Sequence, residues 1–301
     1  MVPAITKPTL LHLLHRVPFR SATIISPRGS HLTGWILLGL ISFFQPLGYI
    51  AADTKHDLLA NPGKFLAGAQ SAWTDTFTLG QLQNQAYGYL FPHGAFFWLF
   101  DAFPDAFTQR LWWWLVLGVG YSGFLLLLRR IADTTGGFTG NFTTGFAMGA
   151  AFLYALSPRV LSTLTTISSE TWPVMLAPWV LWPLITRQLT LRSIAMSVLA
   201  IGMMGAVNAT ATLAACTPAG IFLLWRLVVA FCWRLIGFTI MWGLGAVLIS
   251  LWWILPLLVL GRYASPFTDY IENATVVTRW LNLAEILRGT TSWSPFVDAE
   301  R

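Results

Sequence analysis

Charge is scarce in this chain, and that scarcity is the first constraint on what the protein can be. Only 10% of the 301 residues are Asp, Glu, Lys or Arg, against 55% hydrophobic and a mean hydropathy of +0.63. That balance excludes an ordinary soluble domain and indicates an integral membrane protein. Cysteine is nearly missing. Cys216 and Cys232 fall on different sides of one predicted helix, so no bridge of normal geometry joins them, and no metal-ligand spacing exists among Cys and His. Acids are missing from the first thirty residues, which are basic. The apolar segment that follows is too long for a signal peptide and leads to no small-residue cleavage site, so a cleavable leader is not expected. The basic residues are scattered over short segments with no recognisable binding module, so nucleic acid is not an expected partner.

Charge is also missing from the middle of every long apolar run. A charge at mid-membrane costs roughly 2.5–3.5 kcal/mol or more and marks ion pathways and proton relays. Its absence argues against an ion-coupled carrier. What is present is a series of uncharged runs at 32–52, 111–128, 134–158, 171–186, 193–225 and 235–261, the first long enough to span a bilayer core of roughly 30 Å. The run at 193–225 is too long for one span and breaks at the polar segment 208–212, which makes seven spans. With the N-terminus in the cytoplasm, Lys7, Arg16, Arg20, Arg28, Arg129, Arg130, Arg187, Arg192, Arg226 and Arg234 fall inside against one acid, Asp133, as the positive-inside rule requires. The expected organisation is a basic cytoplasmic segment 1–31, an all-α multispanning module 32–262 with an outer loop 51–106, and an extracytoplasmic tail 263–301 that begins a longer region. Residues 81–100, aromatic and interrupted by Gly and Pro, are expected as one or two helices along the outer interface, and Trp112, Trp113 and Trp114 as part of the headgroup belt. The inner arginines set topology and attract anionic headgroups; an acidic cytoplasmic partner is a second reading.

The carboxylates gather on the outer side, with several arginines. Acids and guanidinium groups together at an outer membrane face suit recognition of a sugar hydroxyl and a lipid phosphate. Asp53 follows directly on the first apolar run. Read as the end of that helix, it opposes the macrodipole by a few tenths of a kcal/mol, a placement that invites a functional explanation beside the plain one of a solvated loop acid. Asp57 lies one turn on if the segment is helical, and shares the site or pairs with Lys55. His56 reads as a polar loop residue. Arg159, after Ser157 and Pro158, is either an interfacial anchor or a phosphate clamp, since guanidinium matches phosphate oxygens bidentately; Arg262 is a further such candidate, and Glu170 is open in the same way. Tyr87, Tyr89 and Trp73 are candidates for stacking on sugar rings. Asp269 and Glu272, just beyond the last span, are placed to close the cavity from the opposite side. The N-x-T triplets at Asn141, Asn208 and Asn273 are short enough to arise by chance.

Several blocks, in order along the chain from Asp53 onward, resemble one family. They are Asp53 to Leu58, Asn84 to Pro92, Gln109 to Trp113, Ala155 to Leu161, Ile167 to Thr171, Met204 to Ala209, and Leu287 to Thr290. Together they are similar to the arabinofuranosyltransferase D family of actinobacterial cell-wall synthesis, whose members are much longer, with further spans and outer carbohydrate-binding modules. The resemblance implies a GT-C-type glycosyltransferase bundle at the plasma membrane, its active face extracytoplasmic. Its catalytic acid lies in the first outer loop, a position that falls here on Asp53. The implied donor is decaprenyl-phosphoryl-arabinofuranose and the implied acceptor the arabinan of arabinogalactan or lipoarabinomannan, with α-(1→3) branching. A β-phosphate donor and an α-linked product imply inversion.

One carboxylate suffices for such a transfer, because the leaving group is already a phosphate and no acid need protonate it. Asp53 is expected as the general base, with Glu272 and Asp57 orienting the acceptor, and Arg159, Glu170, Arg262, Lys55, Tyr87 and Asp269 binding substrate. No cofactor is expected; a divalent cation held by outer carboxylates and the donor phosphate is the open exception. Two other readings stand beside this one: a polyprenyl-phosphate-sugar transferase of different sugar specificity, and a non-catalytic lipid-linked-sugar transporter or scaffold.

Overall fold

The computed structural model describes residues 27–44, 46, 48–51, 53, 56–74, 79–82, 86–135, 141–186, 188–263, 278 and 281–289. The chain is built from helices that run back and forth. The long ones are α1 (Pro27–Phe43), α5 (Asp105–Thr135), α6 (Asn141–Ala155), α8 (Ser168–Leu181), α9 (Leu191–Gly202), α10 (Ala209–Val229) and α11 (Trp233–Tyr263). Short helices fill the connections at one end of the bundle: α2 (His56–Ala60), α3 (Pro62–Ala69), α4 (Ala95–Leu99) and α7 (Pro158–Leu164). A 3₁₀ turn at Ala86–Tyr89 and a π turn at Leu90–Gly94 lead into α4, and a last short helix, α12 (Leu283–Arg288), follows the bundle. The strands β1 (Trp73–Thr74) and β2 (Gln81–Leu82) make one two-residue antiparallel pair. Among the described residues, three helices, Asp105–Thr134, Ala209–Val229 and Trp233–Tyr263, are long and apolar enough to cross a membrane.

Side-chain contacts give the helices their directions. His31 and Trp35 of α1 bond Ser122 of α5, while Phe43 at the other end of α1 packs on Phe107. The two helices are therefore antiparallel. Trp112 near the start of α5 touches Trp172 near the start of α8, and Arg130 near the end of α5 lies over Trp182, just past α8, so α8 runs parallel to α5 and antiparallel to α1. Trp172 Nε1 donates to the carbonyl of Met203 and Arg226 donates to the carbonyls of Leu184 and Thr186, which returns α9 to the α8 N-terminal end and sends α10 back. One end of the bundle thus collects Asp53, the start of α8 and the start of α10. The opposite end collects Arg28, Arg129, Arg130 and Arg226.

The break expected in the 193–225 run lies between α9 and α10, at residues 203–208. Two glycines allow this turn to pack closely. Gly205 has φ +77, and a Cβ there would stand 2.8 Å from the Phe91 carbonyl oxygen. A Cβ on Gly88 would stand 2.4 Å from the Ala206 carbonyl oxygen, and the Ala206 N–H donates to the Gly88 carbonyl. The turn after α9 is therefore seated against the 86–92 segment, backbone to backbone.

The tryptophan run of α5 corrects a sequence expectation. Trp112 is 1% exposed and Trp113 is 7% exposed, so neither belongs to a headgroup belt. Trp112 stands among His93, Phe96, Phe97 and Trp172, with ring centroids 4.9–5.8 Å away. Interfacial composition and core composition look alike when the core holds aromatic rings with an N–H to satisfy.

Candidate active site

The site begins with a loop held open by two buried polar side chains. α1 ends at Phe43 and none of the described residues from there to Asp53 is helical, so Asp53 does not end the first helix as the sequence suggested. Gln109 on α5, 2% exposed, grips this loop with both halves of its amide. Its Oε1 accepts from the Ala51 N–H at 2.8 Å and its Nε2 donates to the Ala51 carbonyl at 2.9 Å. Arg110, 3% exposed, donates to the Pro46 carbonyl at 2.7 Å and to the Ala106 carbonyl at 2.9 Å. Arg110 is thus a brace for the loop. Charge-assisted bonds to main-chain oxygens of this kind are the strong ones.

Asp53, so fixed, meets the start of α8. The Ser168 hydroxyl donates to Asp53 Oδ2, and the Ser168 N–H reaches the same carboxylate at 3.3 and 3.4 Å. The first N–H groups of a helix have no partner within it, and the helix N-terminus favours negative charge. Ile167, the residue in the capping position of α8, supplies no side-chain bond. Asp53 takes that role from 115 residues away. The dipole therefore favours the Asp53 carboxylate, the reverse of the sign read from the sequence. Trp112 completes the line: its Nε1–H donates to the Ser168 Oγ at 3.2 Å, leaving the hydroxyl proton directed at Asp53.

A small cavity of about 20 Å³ opens beside the carboxylate, with Asp53, Tyr89, His93, Gln109, Ser168 and Ser169 supplying its polar wall. Tyr89 is 5% exposed, and its hydroxyl lies 3.5 Å from the Ser169 hydroxyl. It is thus a wall residue rather than an exposed stacking platform. Burial pushes the His93 imidazole down to a pKa of about 3, so it is neutral at ordinary pH.

On its other side the start of α8 borders a larger groove of about 270 Å³, whose polar lining includes Arg159, Thr163, Glu170, Thr171, Asn208 and Thr210. Glu170, two residues after Ser168, accepts from Asn208 Nδ2 at 2.8 Å. Asn208 also caps α10, its Oδ1 accepting from the N–H groups of Thr210 and Ala211. One amide thus starts α10 and orients Glu170. Arg159 opens α7 at the groove margin, and Gly289, just past α12, lies so near it that an added Cβ would stand 3.4 Å from the Arg159 Cβ.

The structure places the sequence candidates as follows. Asp53 lines the small cavity, and Arg159 and Glu170 line the groove. Asp57 is exposed in the first turn of α2 and outside both, while its neighbour His56 lines the small cavity. Tyr87 is half-buried outside both, with burial raising its pKa, and Arg262 stacks over Tyr263 at the end of α11. Lys55, Asp269 and Glu272 lie outside the described residues. Among the described residues no group of three or more His, Cys, Asp and Glu side chains gathers in a metal-binding arrangement. Gln109, Trp112, Ser168, Ser169 and Asn208 were missed as site residues, as was His93. The first five sit in blocks that carry the family resemblance, and Asn208 also carries the local signal of a helix cap; His93 lies just outside the blocks.

A bundle of membrane helices with interfacial helices packed at one end, and a carboxylate held there between a loop and a helix start, is a GT-C-type glycosyltransferase fold. The chain belongs to the family described as alpha-(1->3)-arabinofuranosyltransferase, N-terminal GT-C domain, whose model matches residues 37–301. It is 48% identical over 264 residues to an alpha-(1->3)-arabinofuranosyltransferase of Mycolicibacterium smegmatis, covering 86% of this chain and 18% of that protein. It is 46% identical over 274 residues to the one of Mycobacterium tuberculosis, covering 88% and 19%. A cryo-EM structure of arabinofuranosyltransferase AftD from mycobacteria superposes with a TM-score of 0.75 at 43% identity, over 88% of this chain and 19% of that one. The chain therefore spans less than a fifth of the length of these relatives.

Proposed function

We propose that this chain is the donor-handling part of a membrane arabinofuranosyltransferase, with Asp53 as its general base. Arabinofuranose moves from decaprenyl-phosphoryl-arabinofuranose to an arabinan acceptor, forming an α-(1→3) branch on the extracytoplasmic face of the plasma membrane. The single observation that carries this reading is the Asp53 carboxylate, clamped by the start of α8 and by the Gln109-held loop, at the edge of a cavity at the membrane end of the bundle.

In the reaction, the acceptor hydroxyl gives its proton to the Asp53 carboxylate as its oxygen attacks the anomeric carbon. The bond from that carbon to the phosphate oxygen breaks, and the phosphate departs with the electron pair, still attached to its lipid. Attack from the face opposite the phosphate inverts the anomeric configuration. Arg159, at the groove margin, is the candidate for the departing phosphate, whose charge a guanidinium meets with two parallel bonds. Glu170, held by Asn208, is suited to accept a sugar hydroxyl bond. Lys55, Asp269 and Glu272 stay as candidates for completing the acceptor side. An acidic cytoplasmic partner would meet the opposite end, where Arg28, His31, Arg129 and Arg130 border a cavity of about 350 Å³.

Transfer from a polyprenyl-phosphoryl-arabinofuranose to a synthetic oligoarabinoside, measured with the full-length protein, tests the reading. General-base catalysis is worth about 10²–10⁴-fold, so Asp53→Asn should slow transfer at least a hundredfold while the protein still binds donor. Undiminished transfer by well-folded Asp53→Asn protein removes Asp53 as the base and moves that role to Asp57 or Glu272.

A further inference from the structure

We propose that His93 is a positioning residue, one that holds a single water molecule against the Asp53 carboxylate. The inference rests on the reading of Asp53 as the base and adds a residue to that machinery.

His93 lies in the π turn Leu90–Gly94 and is 1% exposed. Neither ring nitrogen has a hydrogen-bond partner among the described residues. A neutral imidazole carries one donor and one acceptor, and leaving a buried polar group unmet costs about 1–3 kcal/mol. Packing alone does not explain a histidine here. Its ring is surrounded by Tyr89 at 5.9 Å and Trp112 at 4.9 Å, a setting that a phenylalanine or leucine would fill without the penalty. What a phenylalanine lacks is the pair of ring nitrogens, so the nitrogens have work to do.

The adjoining space indicates what they hold. His93 and Asp53 share the wall of the cavity of about 20 Å³, and a buried water needs about 10–15 Å³ and two to four polar partners. The space suits one water and no sugar. Among its polar lining, the Gln109 amide is engaged with Ala51 at both atoms. The rest of its polar lining is the Asp53 carboxylate, the His93 and His56 rings, and the hydroxyls of Tyr89, Ser168 and Ser169. Of these, the Ser168 hydroxyl is committed to Asp53 and Trp112. A water donating one proton to Asp53 and the other to the unprotonated nitrogen of His93 is satisfied at both ends. It favours the charged carboxylate, as any hydrogen bond to the charged form does. Because burial keeps the ring neutral down to a pH of about 3, His93 retains an acceptor nitrogen throughout the working range.

The test uses the full-length protein, polyprenyl-phosphoryl-arabinofuranose and a synthetic oligoarabinoside, with three variants. His93→Phe keeps the aromatic packing and removes both nitrogens. Its kcat should fall about tenfold with the donor KM unchanged, and the acid limb of the kcat profile should move up by about half to one pH unit. His93→Gln restores a donor and an acceptor and should recover most of kcat and the parental acid limb. Tyr89→Phe removes a hydroxyl from the wall of the same cavity while keeping the ring that packs on His93; by loosening the water it should move the acid limb in the same direction. This third variant keeps the test decisive if His93→Phe does not fold. An unmoved acid limb in Tyr89→Phe, or full kcat with an unmoved limb in folded His93→Phe, overturns the proposal. So does equal loss in His93→Phe and His93→Gln in step with their melting temperatures, which would make His93 a packing residue. Asp53→Asn run alongside separates the two ideas: if it is inactive and His93→Phe is unaffected, only the water falls; if Asp53→Asn is active, the base assignment falls.

Discussion

The Ser168 hydroxyl donates to Asp53, and the Ser168 backbone N–H points at the same carboxylate. One residue on α8 thus binds the acid through both its side chain and its main chain, and Trp112 fixes which way the hydroxyl points. The helix start stabilises the charged carboxylate while the hydroxyl sets its plane. A general base needs both: the right charge state and an oxygen aimed at the incoming hydroxyl.

Replacing Ser168 by Ala keeps the main-chain bond and removes the orienting one. The expected result is a fall in kcat of about tenfold with the donor KM unchanged, since a misaimed base weakens the transition state more than the ground state. Ser168→Thr keeps the hydroxyl and should retain more activity than the alanine variant. Steady-state transfer assays on full-length protein check both values. Equal activity in the parent and the alanine variant removes the orienting role.

How much of this was legible in the sequence depends on the range of the interaction. The helices were readable because an uncharged run of membrane length is a local property; the run at 193–225 does divide into two helices, but at 203–208, and the polar segment expected to break it supplies the cap and first turn of α10. Asp53 was singled out, but by a mistaken local argument: the end of an apolar run was taken for the end of a helix. The apolar run continues to Ala52, yet the helix stops at Phe43. From there the backbone satisfies itself on Gln109 and Arg110, partners 58 and 64 residues away. Hydropathy cannot report that. Trp112 failed for a similar reason, since a tryptophan in a membrane protein reads as interfacial until its neighbours are known. Asn208 was set aside as a chance N-x-T triplet. Its two real tasks, capping α10 and holding Glu170, divide between a local pattern and a contact 38 residues distant. Only the cap was readable from the chain.

Those two tasks of Asn208 can be separated by mutation. Asp is as good a helix cap as Asn, so Asn208→Asp keeps α10 capped but replaces the donor to Glu170 with a second carboxylate. The melting temperature should stay close to the parent, while Glu170 loses its anchor. If Glu170 binds the sugar in the groove, donor KM should rise about fivefold or more in Asn208→Asp, and Glu170→Gln should show a similar rise. Asn208→Ala loses both functions and should in addition lose roughly 1 kcal/mol of stability. Isothermal titration with donor, beside thermal unfolding, separates the effects. An unchanged donor affinity in Asn208→Asp would remove Glu170 from the binding site.

His93 gives the fold a pH dependence with a definite sign. Its native pKa lies near 3 and its unfolded one near 6.5, so between these values the unfolded chain binds a proton that the native one does not. Stability therefore rises with pH across that window. The contribution is intact above about pH 6.5 and is lost as the pH falls towards 3, by up to roughly tenfold in the unfolding constant per pH unit. Removing the ring removes this term. The melting temperature of parental protein in detergent should fall more steeply between pH 6.5 and 4.5 than that of His93→Phe. Parallel curves for the two proteins would show that His93 is not buried neutral in the native state.

The orientation of the bundle in the membrane is open to a direct labelling experiment. The helices alternate in direction from α1 to α11, so the α10–α11 turn and the segment after α11 lie at opposite ends. The arginine distribution then predicts which end is cytoplasmic: Arg28, Arg129, Arg130 and Arg226 lie at one end, and the positive-inside rule puts that end in the cytoplasm. Cys232 is exposed in the α10–α11 turn, at the arginine end, and is a native probe for it. Glu285, on α12 beyond the end of α11, becomes a probe for the other end as Glu285→Cys. With the remaining cysteines of the full-length protein replaced, a membrane-impermeant thiol reagent applied to intact cells should label Glu285→Cys and leave Cys232 unlabelled until the cells are opened. The same result puts Asp53 on the outer face, because Asp53 shares the end of the bundle at which α11 finishes. Labelling of Cys232 from outside would invert the bundle and place the carboxylate in the cytoplasm, where a base acting on cell-wall arabinan has no substrate.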